Sequence, residues 1–345
     1  MKKYTAFRIE KPRVSFLVDR KTALITGVLL LLTFITLVVS TALGTMKIHP
    51  IEVLKVLIGN GAEQYEVIIQ SFRLPRNLIA ILVGAAFGIS GVIMQGIFRN
   101  PLASPDVIGI TGGASVAAVV FVTVFEKTSI HLLPFIAFFG AALMALLIYL
   151  LAWKKGVTPL RLVLIGVGMD FATKALVTLF LVISHIHLTS KAKVWLTGTI
   201  YGTTWDNVIM MFLWMVVLIP LAFVFGRNVN VQQLGDEIAT GVGSQLQRHR
   251  IILLSISVAL AGSAIAFGGT IAFVGLLAPH IARKLVGPSF GGLLPVAALV
   301  GAITVMVADL IARTAFAPMD LPVGIFTSSI GAPFFIYLLY KNRNQ

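Results

Sequence analysis

The sequence predicts an all-α integral membrane protein, and three observations carry that prediction. Of 345 residues, 58% are hydrophobic and only 12% are charged, whereas about a quarter of the residues in a soluble domain are charged. Apolar runs of about 20 residues, the length of a helical crossing, recur from one end of the chain to the other. Lys and Arg gather at the ends of those runs and favour alternate connections, as the positive-inside rule requires.

Taken in order, the spans expected are 23–43, 77–98, 106–125, 131–152, 160–183, 206–226, 250–267, 270–283, 293–316 and 321–340, ten in all. Ahead of them, residues 1–22 form a basic arm with Lys2, Lys3, Arg8, Lys11, Arg13 and Arg20, and residues 23–345 form one polytopic domain. The run 23–43 is too long for a signal-peptide core and has no evident cleavage site, so it is expected to remain as the first span. Spans seven and eight are separated only by Gly268 and Gly269, and the eighth is short. Ten crossings put the basic arm and the tail with Lys341 and Arg343 on one side. Arg99, Lys154, Lys155, Arg161, Arg227, Arg248, Arg250, Arg283 and Lys284 fall on that side too, which makes it cytoplasmic. Fewer basic residues lie outside: Lys47, Lys55, Arg73, Arg76, Lys127, Lys191, Lys193 and Arg313.

The net charge of +14 is therefore a matter of topology. It does not indicate nucleic acid, because no aromatic-interleaved basic platform accompanies it. The lack of cysteine excludes disulfides and thiolate metal sites. An external segment, 44–72, contains an amphipathic run at 50–58 with Pro50 suited to a helix start. A second, 184–205, holds His185 and His187, a weak metal pair without a carboxylate or cysteine beside it.

The long polar interruption at 227–250 reads as a docking surface on the cytoplasmic side. Val231, Leu234, Ile238, Val242 and Leu246 recur at steps of three and four. Gly235, Gly241 and Gly243 argue against one continuous helix. Two short helices joined by a tight turn are expected.

Within the spans, small residues cluster at 84–91, 109–115 and 259–264, as in a closely packed bundle. Asp170 with Lys174, and Asp309 with Arg313, are four residues apart and can pair along a helix. No GxxxxGK[ST] loop is present, so the chain is not expected to bind ATP itself. No span carries a nucleophile with a His base or two His at metal spacing, which argues against a membrane enzyme. Sparse intramembrane charge argues against an ion-driven secondary transporter.

Several motifs occur in a fixed order: RLPR at 73–76; GxxMQxxxxNPLA with Gly91, Met94, Gln95, Asn100, Pro101 and Ala103; GxIxFxGLxxPH from Gly269 to Pro279 and His280; and LPVGIFTSSIGAPFF at 321–335. From about Arg73 onward the chain resembles the FecCD family of permeases from ABC importers, which includes ferric-siderophore, haem and vitamin B12 systems. The resemblance implies a type II importer permease fold with ten spans and a pathway between two permease subunits, identical or related. It also implies two cytoplasmic ATPases, which use ATP and Mg, and an external binding protein. No cofactor is implied on this chain. A bacterial plasma membrane and a ferric siderophore as cargo follow as expectations, with haem or cobalamin as alternatives.

Residue by residue, LGDEIATGVG resembles the family's coupling motif and assigns ATPase coupling to Leu234, Gly235, Asp236, Glu237, Ala239, Gly241 and Gly243; Val242 replaces the usual Leu. Arg73, Arg76 and Arg313 match positions that in relatives pair with acidic residues of the binding protein. Thr158, Pro159 and Leu160 lie where the family has its inner gate, with its small polar character only partly kept. Met94, Gln95, Asn100, Pro101, Pro279 and His280 are expected to set turn and helix-end geometry.

Overall fold

In the computed structural model, residues 4–9, 14–106, 109–126, 128–154 and 156–341 are described, with side chains from residue 19 onward. Lys2, Lys3, Lys11, Arg13, Lys127, Lys155 and Arg343 lie outside the described residues. The expected basic arm contains an antiparallel hairpin, β1 (Tyr4–Ile9) with β2 (Val14–Asp19), in register from Tyr4 opposite Asp19 to Ile9 opposite Val14.

Helix α1 (Arg20–Ala42) follows at once, because the Asp19 carboxylate accepts the Lys21 N–H and caps it. Its outward large apolar side chains are leucines, valines, Phe34 and Ile35, as a lipid-facing helix requires. α2 (Pro50–Leu57) begins at Pro50, as expected, and buries Val53 and Val56 against Val38, Ala42 and Ile69. α3 (Glu63–Val67), a π-helical turn at Ile68–Arg73 and α4 (Leu74–Phe98) form one unbroken helix of 36 residues.

The remaining helices are α5 (Ile110–Val124), α6 (Leu133–Ala152), α7 (Pro159–Ile183), α8 (Ile186–Leu196), α9 (Trp205–Gln232), α10 (Asp236–Gly241), α11 (Leu246–Gly268), α12 (Val274–Val286), α13 (Phe290–Thr314) and α14 (Val323–Lys341). Among the described residues, eight helices are long and apolar enough to cross a membrane. The other two expected spans correspond to α5 and α12, of 15 and 13 residues. At 1.5 Å per residue these reach about 22 and 20 Å, short of a hydrocarbon core of about 30 Å.

Two expected boundaries are corrected. The eighth span starts at Val274 and not at 270, because Gly269 and Phe273 both have positive φ (69° and 66°) and break the helix between them. The polar stretch 227–250 is not two free short helices. α9 continues through Gln232 and α11 begins at Leu246, which leaves α10 as the one separate short helix.

The core is organised on α4, which packs against α9, α11, α12 and α13. Glycines make this possible. A Cβ on Gly84 would lie 2.3 Å from the Gly301 carbonyl oxygen of α13, and one on Gly91 would lie 1.8 Å from the Gly275 oxygen of α12. Such close backbone approach gains dispersion in a lipid solvent that supplies no hydrophobic drive. Buried polar bonds fix the register: Ser90 Oγ donates to the Ser257 carbonyl of α11 at 2.9 Å, and Ser40 Oγ of α1 donates to Asn77 Oδ1 at 2.7 Å.

Candidate functional site

Three places on this bundle carry polar groups that packing alone does not require. The first is a cavity of about 890 Å³ between α5, α7, α14 and the turn before α12. Asp170 and Lys174 line it and pair at 2.6 Å, as their spacing on α7 predicts. Thr111, Ser115, Thr178 and Ser328 add hydroxyls. The Lys174 side chain is 71% exposed in the isolated chain. An exposed ammonium halfway along an apolar helix needs water or another protein surface beside it, because lipid would leave it unsolvated.

The second place is the end of the bundle that carries α10. Gly235 (φ 113°) turns the chain out of α9 and Gly243 (φ 81°) turns it toward α11, conformations that favour glycine. Gly241 ends the helix, Ala239 anchors it in the core, and Leu234, Ile238 and Val242 are 60, 54 and 68% exposed. Glu237 is exposed beside them. Asp236 is occupied: Arg99, from the end of α4, donates to its Oδ1, and Arg250 Nη2 donates to both carboxylate oxygens at 3.2 Å. Arg99 itself has φ 51° as it leaves α4.

Next to α10 lies the loop that joins α6 to α7. Thr158 precedes α7, its carbonyl receives the Leu162 N–H at 3.2 Å, and Pro159 occupies the first turn, where its missing N–H costs nothing. Leu160 points outward. Arg250 and Gln247 of α11 both bond the backbone of Val157 in this loop.

The third place is the opposite end of α4. Arg76 forms a fork with Asp309 (2.7 to 3.1 Å) and another with Asp320 (2.6 and 2.8 Å). Arg313 pairs with Asp309 at 3.4 Å, as their spacing predicts, and donates to the Leu43 carbonyl at 2.6 Å and to Ser40. Arg73 donates to the carbonyls of Thr41, Ala42 and Met46. The three arginines expected to meet a partner therefore already tie α1, α4 and α13 together. They also line a pocket of about 180 Å³ with Phe72, Pro318 and Asp320.

The motif residues lie on α4, in the turn just after it, and on α12. Met94 and Gln95 are buried, and Gln95 accepts Nη2–H of Arg283 at 3.0 Å. Asn100 Oδ1 accepts the Leu102 N–H at 2.9 Å, closing the turn that contains Pro101. Pro279 packs beside Gly91, and the His280 ring meets Phe334 edge-on with centroids 5.3 Å apart. Elsewhere, Glu126 comes within 3.1 Å of His187, a carboxylate neighbour that the sequence did not suggest. Sequence reasoning also missed Asp320, Gln247 and the joint use of Asp236 by Arg99 and Arg250, since each depends on residues far apart in the chain.

A bundle of membrane-length helices with a polar cavity on its flank is a multi-pass membrane protein. The chain belongs to the FecCD transport family, whose model matches residues 30–341. It is 48% identical to the probable siderophore transport system permease protein YfhA of Bacillus subtilis, over 95% of this chain and 97% of that one. It is 49% identical to the achromobactin transport system permease protein CbrC of Dickeya dadantii, over 91 and 90%. A solved metal-chelate type ABC transporter in an inward-facing conformation superposes with a TM-score of 0.81 at 31% identity, covering 93% of this chain and 99% of that one.

Proposed function

We propose that this chain is the membrane-spanning subunit of an ATP-driven importer that passes a ferric siderophore from an external binding protein to the cytoplasm. The importer reading is carried by α10 and its two flanks: Ile238 on the helix, Leu234 just before it and Val242 at its end point outward beside the exposed Glu237, a surface that suits a groove on a soluble partner. That partner is a pair of ATPases, which use ATP and Mg; this chain supplies the knob through Leu234 to Gly243 and binds no cofactor. The siderophore assignment draws on YfhA and CbrC.

In this reading α5 and α12 complete ten spans in a bacterial plasma membrane, and both termini are cytoplasmic. A second permease, identical or related, covers the cavity on the α5, α7 and α14 flank, and the two half-cavities form the pathway. The binding protein docks at the opposite end, where Arg73, Arg76 and Arg313 line a pocket large enough for a carboxylate side chain. Thr158, Pro159 and Leu160 border the inner exit.

A different reading, an ion-driven carrier, draws on the Asp170–Lys174 pair in the cavity. Mild detergent purification of the tagged chain with mass spectrometry of its companions separates the two. An ATPase that co-purifies, and is lost when 234–243 is scrambled, supports the importer. A chain that transports substrate and never carries an ATPase supports the carrier.

A further inference from the structure

The loop between α6 and α7 is held to α11 through its backbone. Gln247 Oε1 accepts the Val157 N–H at 3.2 Å, and Gln247 Nε2–H returns to the Val157 carbonyl at 3.4 Å. Arg250 Nη1 donates to that same carbonyl at 2.5 Å. Arg161, in the first turn of α7, donates to the carbonyls of Ala152, Lys154 and Gly156. Ala152, Gly156, Val157 and the start of α7 are thereby tied into one piece.

α10 is held differently. It hangs between the turns at Gly235 and Gly243, and its charged anchor is Asp236. One side of that carboxylate is bound to Arg99 at the end of α4, the most enclosed of the long helices. Arg250, which is only 1% exposed, donates to both carboxylate oxygens and so shares Oδ1 with Arg99.

We propose that Arg250 is the positioning residue that carries displacement of α10 to the inner gate. Its Nη2 edge holds Asp236 at the start of α10, and its Nη1 edge holds Val157 beside Thr158, Pro159 and Leu160. A guanidinium is a rigid planar fork. A carboxylate that swings about its Arg99 contact turns that plane, and the turn displaces the carbonyl held on the other edge. Gln247 keeps the loop in register while it moves. The proposal rests on the importer reading of α10.

The test uses the complete complex with its ATPases and binding protein in liposomes. The chain has no cysteine, so Thr158→Cys gives a single site on it, whose maleimide labelling is compared with and without ATP and Mg. With Arg250 present, nucleotide changes the labelling rate. In Arg250→Gln, ATP hydrolysis stays within about twofold, and the nucleotide-dependent change at 158 shrinks about tenfold. Arg250→Lys leaves a positive charge beside Asp236 but has no fork; it should show the same loss and serves if the Gln variant does not assemble. Gln247→Leu, which spares Arg250, should reduce the response only in part. An undiminished response in both Arg250 variants, with hydrolysis intact, overturns the relay. A native chain that binds no ATPase overturns the importer reading and the relay with it, and co-purification shows this before any labelling.

Discussion

Asp309 is fully buried, and its carboxylate faces Arg76 on one side and Arg313 on the other. Removing one member of a buried ionic group strands the others without solvation, at a typical cost of about 3–5 kcal/mol. Asp320 would still neutralise part of Arg76, so Asp309→Ala should cost about 3 kcal/mol, at the lower end of that range. Asp309→Asn, which still accepts hydrogen bonds, should cost less. Thermal unfolding of the purified protein in detergent measures both, and unchanged midpoints would show that the cluster contributes nothing. The pairing of Asp309 with Arg313 could be read from their spacing. That Arg76 also turns inward could not, because its partners Asp309 and Asp320 lie more than two hundred positions away. A sequence shows that an arginine stands at a membrane boundary, and only the fold shows which way it points.

At the scale of elements, α4 depends on backbone contact. A methyl group on Gly91 would meet the Gly275 carbonyl at 1.8 Å, where no flexible side-chain end can give way. Overpacking typically costs about 1–3 kcal/mol, so Gly91→Ala should lower stability by at least about 1 kcal/mol on that scale. At Gly27 on α1 a Cβ meets nothing within 4 Å; there Ala should be neutral or raise helix stability by up to about 1 kcal/mol. Equal effects in a denaturant or thermal titration would refute the close-approach account. The long spans were legible because lipid-length apolar runs have few alternatives. The ends of α12 and the course of 227–250 were not. Phe273 adopts a left-handed backbone that its residue type disfavours, and a polar stretch does not reveal that its first residues continue the helix before it.

For the whole molecule, the arrangement of exposed surface separates what faces lipid from what faces water. α1 presents Val28, Leu31 and Phe34, whereas the exposed part of α7 includes Lys174 and Thr178 on the cavity. In native membranes a single cysteine at Thr178 should react readily with a charged maleimide, and one at Val28 should not. Equal protection of both would mean that the cavity is closed to water. At the α10 end, Ile238→Glu should abolish ATPase co-purification and leave the elution volume of the folded chain unchanged. An ATPase that stays bound would remove α10 from the interface.

The placement of α4 has a consequence for biosynthesis. It is made well before α12 and α13, which come from residues 274–314 and cover its glycine face at Gly84, Gly88 and Gly91. Until most of the chain has been translated, this helix waits in the bilayer with grooves that lipid tails fill poorly. A chain halted after α9 lacks every helix that seals those grooves apart from α9 itself. The glycine face of α4 is therefore buried only after α12 and α13 have been made, late in translation.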